Sequence, residues 1–114
     1  SEGWILDEFQ LSRDYTWKGI TFPAGTWVFR DRFGTFRIVT LPHDMVIQGY
    51  PCRGGIGGLE GVQTGFHANG QLRVFFLREN SVVGGVPCKA SVMAGVYLHD
   101  NGHLARCRLS RDFM

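Results

Sequence analysis

Nowhere in this chain do about 18 apolar residues run together, which excludes a transmembrane helix. Helical punctuation is missing too. No segment carries apolar residues at a 3.6-residue spacing between caps, and 16 glycines and 4 prolines interrupt every stretch long enough for a good helix. Charge of one sign is scarce: with a formal net charge of +2, neither nucleic acid nor a membrane surface is implied as partner. Cysteine is limited to three residues without a CxxC pairing, so no zinc site is expected. The nucleophile elbow Gly-x-Ser-x-Gly is absent. The glycine run from Gly54 to Gly58 lacks the Lys-Ser/Thr ending of a phosphate-binding loop, and reads as a flexible insertion. No cofactor and no metal are expected.

What is present is a repeat. Leu11-Ser12-Arg13-Asp14 returns as Leu109-Ser110-Arg111-Asp112, with Leu41-Pro42-His43-Asp44 and Leu77-Arg78-Glu79-Asn80 between them. Eight positions after the first three of those leucines stand Gly19, Gly49 and Gly85. Two of these glycines open the related phrases Tyr50-Pro51-Cys52-Arg53 and Val86-Pro87-Cys88-Lys89. A turn phrase follows, His67-Ala68-Asn69-Gly70 and His99-Asp100-Asn101-Gly102, with Asp31-Arg32-Phe33-Gly34 as a degenerate copy. Each turn glycine precedes the next marker leucine by seven residues. The chain thus reads as one half unit followed by three units of about 30–36 residues, in a single domain spanning residues 1–114.

The units are built of strands. Asn-Gly is a hairpin signal, since both residues tolerate the positive φ of a tight turn. Phe75 and Leu77, Cys107 and Leu109, and Val39 and Leu41 recur with period two, with Arg106 and Arg108 at the alternate positions of the last copy. Thr64–Phe66 and Val96–Leu98 read as incoming strands. Val46-Ile47 and Val82-Val83 read as short β-branched strands ended by glycine and then proline. Residues 2–10 favour a strand over one amphipathic helical turn. The expected fold is all-β: nine or ten strands of about 5–6 residues in repeated hairpins, forming an open roll or curved strip, with a closed three-fold arrangement as the alternative. Leu41, Leu77 and Leu109 should face one core.

Cys52 and Cys88 occupy equivalent positions. They are either bridged one layer apart or simply small buried side chains, while Cys107 is expected in the core. His67 and His99 enter equivalent turns beside Asp100, and are the only repeated polar feature suited to acid–base or metal chemistry. The plainer reading makes them exposed rim residues. Arg73, Arg78, Arg106, Arg108 and Arg111 around Phe75 or Phe76 suggest either a nucleic-acid face or a solvated edge strand, and the edge is preferred. Tyr50, Phe76, Tyr97 and Phe113 are expected to mark a partner contact.

The phrase His67-Ala68-Asn69-Gly70-Gln71-Leu72, followed by Gly84-Gly85, resembles the hairpin repeats of bacterial proteins related to the membrane-occupation-and-recognition-nexus motif, including an antitoxin-like group. The resemblance covers about half the chain, and the Pro-Cys-Arg/Lys phrase departs from it. It implies stacked hairpins and binding rather than catalysis, and carries over no functional residue. Together these readings predict a non-catalytic binding or interaction module. It would be self-associating, with a protein partner possible, no membrane partner and nucleic acid unexpected. Its binding residues would come from His67, His99, Asp100, Tyr50 and Tyr97. The alternative is a small hydrolase or metal-binding enzyme using His67 and His99. A cytoplasmic location is the default, and Ser1 as first residue leaves room for a leader removed earlier.

Overall fold

The computed structural model describes residues 5–55 and 62–110. Trp4, residues 56–58 of the glycine run and residues 111–114 lie outside them. The described chain is all-β. Its first half holds β1 (Ile5–Gln10), β2 (Tyr15–Trp17), β3 (Ile20–Phe22), β4 (Trp27–Asp31), β5 (Phe36–Thr40), β6 (Met45–Ile47) and β7 (Tyr50–Cys52). Its second half holds β8 (Gly65–Phe66), β9 (Leu72–Phe75), β10 (Ser81–Val83), β11 (Val86–Cys88), β12 (Val96–Leu98) and β13 (Leu104–Arg106). The strands are more numerous and shorter than expected, because each unit contains two hairpins rather than one.

The strands form five small antiparallel sheets, and no barrel closes among the described residues. β1-β4-β5 make one ladder and β8-β9-β12-β13 another. A single bridge between Val39 and Thr64, with backbone bonds of 2.6 and 2.9 Å, joins them side by side. Three two-stranded hairpins, β2-β3, β6-β7 and β10-β11, are inserted at every second connection.

Each short hairpin turns on two residues with positive φ: Lys18 and Gly19, Gln48 and Gly49, Gly84 and Gly85. That is the signature of a type I′ turn, whose twist matches the flanking strands. Glycine takes this conformation freely, whereas Gln48 does so at a cost. Its side chain compensates. Gln48 Nε2 donates to Gly70 O at 2.9 Å, and Gln48 Oε1 accepts from Leu72 N at 3.0 Å.

The base of each short hairpin is closed by the fourth residue of the leucine phrase. Asp14 Oδ1 accepts from Ala24 N at 3.0 Å, Asp44 Oδ1 from Gly54 N at 2.7 Å and Asn80 Oδ1 from Ala90 N at 2.8 Å. Prolines 51 and 87 lie inside β7 and β11, opposite Val46 and Val82, rather than ending the preceding strands. Only their carbonyls are used outward: Pro51 O accepts from Arg78 N and Pro87 O from Ser110 N.

The short hairpins cover one face of the ladders, and the main core lies between. From the hairpins come Phe22, Ile47, Cys52, Val83 and Cys88; from the ladders come Val28, Phe36, Val39, Phe66, Leu72, Phe75 and Leu98. Trp17 stacks on Phe36 with ring centroids 4.8 Å apart, and Phe22 meets Phe66 edge-on. A smaller cluster of Val62, Val74 and Phe76 sits apart from this core, with Tyr97 packed against it.

Three expectations need correction. Leu41 and Leu77 are buried, but Leu109 is 49% exposed. It bridges to Cys88, yet no described hairpin follows to pack upon it. Cys88 is bonded not to Cys52 but to Cys107, whose Cα lies 5.9 Å away, and Cys107 is therefore a half-buried bridge rather than free core. Cys52 stays a buried thiol, and burial pushes its pKa up to about 12. Phe76, expected to be exposed, is buried.

Replacing Leu77 by alanine is expected to cost about 2–5 kcal/mol in urea unfolding, and Leu109→Ala well under half of that. Equal losses would refute the asymmetry. The disulfide spans 19 residues. Reduction, or Cys107→Ser, should lower stability by about 3 kcal/mol on the chain-entropy argument. In the oxidised protein Cys52 should ignore Ellman's reagent until the chain unfolds, then react as one thiol. As pH climbs above the ordinary thiol value, unfolded chains ionise Cys52 while folded chains hold its proton up to about 12, so stability falls across that window.

Candidate binding surfaces

The two histidine turns adopt one geometry. His67 N donates to Gln71 O at 2.8 Å and Gly70 N to His67 O at 2.9 Å; His99, His103 and Gly102 repeat both bonds at 2.8 and 2.9 Å. Gly70 and Gly102 have positive φ, as expected where a turn ends in a bulge within a hairpin. Asn69 Oδ1 accepts from Gln71 N and Asn101 Oδ1 from His103 N, each at 2.9 Å. Both Asn-Gly pairs therefore lie at hairpin tips. In the first turn Asp31 Oδ1 accepts from Phe33 N and Thr35 N, so Asp31 does the work of the asparagines.

The turns are tied side to side. His67 Nε2 bonds Leu98 O at 2.8 Å, and because a carbonyl only accepts, this nitrogen carries the proton. Asn69 Nδ2 donates to Asp100 O at 2.8 Å. His67 thus spends one ring nitrogen on holding adjacent turns together. His99 and Asp100 are exposed. Among the described residues no three His, Cys, Asp or Glu side chains gather closely enough to hold a metal.

The two tyrosines part company. Tyr50 stacks on Phe75 at 5.3 Å and belongs to the covering layer of the core. Tyr97 lies on the opposite face of its ladder. The registers Gly65↔Val74, Val74↔Tyr97 and Tyr97↔Arg106 run as one row across β8, β9, β12 and β13. Arg106 Cζ stands 4.4 Å above the Tyr97 ring, a cation–π contact.

Beside this pair opens a cleft of about 380 Å³, walled by Phe76, Met93, Tyr97, Arg106, Cys107 and Arg108. Among the described residues, two guanidinium groups and no carboxylate line it. Met93 is 83% exposed. Gly95 backs the cleft where a Cβ would press on Phe76 and Val74, so only glycine leaves that packing undisturbed.

Further along this face Arg73 Nη2 donates to Arg37 O at 3.2 Å, crossing Gly65 where any side chain would collide with both groups. Burial, and then the neighbouring Arg37 charge, lower the Arg73 pKa. At the far end of the ladders Arg30 Nη2 donates to Asp7 Oδ2 at 2.7 Å, and this hydrogen bond holds the Asp7 carboxyl below its usual range.

Of the residues singled out from the sequence, His67, His99 and Asp100 come together at the turns, Tyr97 lies in the cleft, and Tyr50 stands in neither. Sequence reasoning missed Met93 and the partnership of Tyr97 with Arg106. A signal for the second was present: counting outward from Asn101-Gly102 brings positions 97 and 106 opposite each other once the turn bulge is allowed for. Set against protein-family models, curated proteins and solved structures, the chain matches none.

Proposed function

We propose that the chain is a non-catalytic binding module, and that the cleft beside Tyr97 and Arg106 takes an extended acidic polypeptide segment. The observation that carries this reading is the Arg106 Cζ placed 4.4 Å above a half-buried tyrosine ring, in a cleft whose described lining carries no carboxylate. The cation–π contact anchors the group, and a guanidinium presents N–H donors to a carboxylate. Arg108 supplies a second cation, and Met93 an adaptable apolar contact.

β13 closes one end of its ladder and has a strand neighbour on one side only, so an extended segment can also find backbone partners there. In this reading the seven ladder strands and three short hairpins act together as an open strip of repeated hairpins. Self-association belongs to the same proposal. Among the described residues β1 is the other edge strand, and its exposed Glu8 is a carboxylate that a second copy offers. A hydrolase built on His67 and His99 is not favoured, because His67 already holds Leu98 O. The Cys88–Cys107 disulfide argues for an oxidising compartment over the cytoplasmic default.

The test is fluorescence anisotropy with a labelled glutamate–tyrosine copolymer at low salt. Saturable binding is expected, weakening about tenfold or more in Arg106→Glu. Both arginines are exposed, so the Arg106→Glu, Arg108→Glu variant should melt close to the parent. Unchanged affinity in that folded double variant would refute the reading.

A further inference from the structure

The three-stranded ladder presents a second row on the face away from the main core. Gln10, Trp27 and Thr40 stand directly opposite one another on β1, β4 and β5. Their neighbours Val28 and Val39 are wholly buried, so strand alternation sends this row outward. Trp27 is 44% exposed, a large flat ring left open on a strand. Beside it lies a cleft of about 180 Å³, reached by Pro42, Gly25 and Gly55. Neither glycine projects a side chain into it, and both have positive φ, which other residues adopt only with strain.

We propose that this cleft is a binding site for a neutral saccharide, with one pyranose ring stacked on Trp27. The argument is from chemistry. Among the described residues no charged side chain lines the cleft, and so none of them would recognise a phosphate, a carboxylate or an ammonium group there. A purely apolar ligand fits no better, since it would bury Gln10 Oε1 and Thr40 Oγ1 without partners.

A sugar meets both requirements. Its C–H face is apolar enough to cover indole, and its rim carries hydroxyls that both donate and accept. Gln10 Nε2 donates to Gly25 O at 3.3 Å, which orients the amide and leaves Oε1 free to accept. Thr40 Oγ1 is engaged by no described residue and can serve either role. The indole thus lies between an amide and a hydroxyl at fixed strand spacing, in a cleft sized for one ring rather than for a drug-sized molecule. This site is separate from the arginine cleft and does not depend on that reading.

The experiment is calorimetric titration of the intact chain with three neutral probes, chitotetraose, cellotetraose and maltotetraose, alongside chemical shifts of the tryptophan indole N–H groups. At least one probe should bind with a Kd of about 1 mM or tighter and move the Trp27 indole resonance. Trp27→Ala should abolish the heat, Trp27→Phe should retain part of it, and Thr40→Ala should weaken binding several-fold. Arg106→Glu should leave it unchanged. Because Trp27 is exposed, its alanine variant should stay folded, and its amide spectrum checks that. If no tetrasaccharide moves the Trp27 indole, or if the heat persists in folded Trp27→Ala, the assignment is wrong.

Discussion

The carboxylate or amide oxygen that Asp14, Asp44 and Asn80 extend to a backbone N–H ten residues later is the contact on which the architecture turns. A two-stranded hairpin of three-residue strands is not stable by itself in water. Closed at its base by this oxygen, set at its tip by a type I′ turn and laid on apolar ladder residues, it becomes the second layer of a core. Each ladder then gains a buried face, and each strand pair in the hairpins gains apolar cover for its inward side chains. Remove the short hairpins and Phe36, Phe66 and Phe75 would face water.

One hairpin position and one ladder position recur together at the same spacing from the marker leucines. Phe22 and Val39 hold the equivalent positions in the first unit, Cys52 and Phe75 in the second, and Cys88 and Cys107 in the third, where a disulfide stands in for apolar packing. Cys52 remains a thiol that burial keeps protonated.

The two faces of the ladders differ in what they present. The face under the hairpins is consumed by the core. The other keeps an exposed tryptophan row on the first ladder and an arginine–tyrosine cleft on the second, one neutral and one cationic. The turns joining ladder strands are occupied with one another: His67 and Asn69 spend their polar atoms on the adjoining turn, which keeps the ladder tips in line.

Composition and spacing by themselves determined that this chain is all-β, that its unit recurs at the marker leucines, that Asn69-Gly70 and Asn101-Gly102 are hairpin tips, and that Leu41 and Leu77 face inward. These are local consequences of φ preference and of side-chain alternation with period two, which residues carry wherever they stand. The strand at β1 was legible from the alignment of the units, which sets it in the place of the other ladder strands. The short hairpins were half legible: their glycines were visible, but the role of Asp14, Asp44 and Asn80 was not, since an oxygen reaching ten residues ahead leaves no periodic trace. Only the tertiary structure decided that Cys88 joins Cys107 and not Cys52, that Phe76 is buried, that Leu109 is open, and that Trp27 and Tyr97 line clefts. Each of these depends on which element lies across a given face, and packing between residues distant in sequence is set by the whole fold rather than by any segment's own pattern.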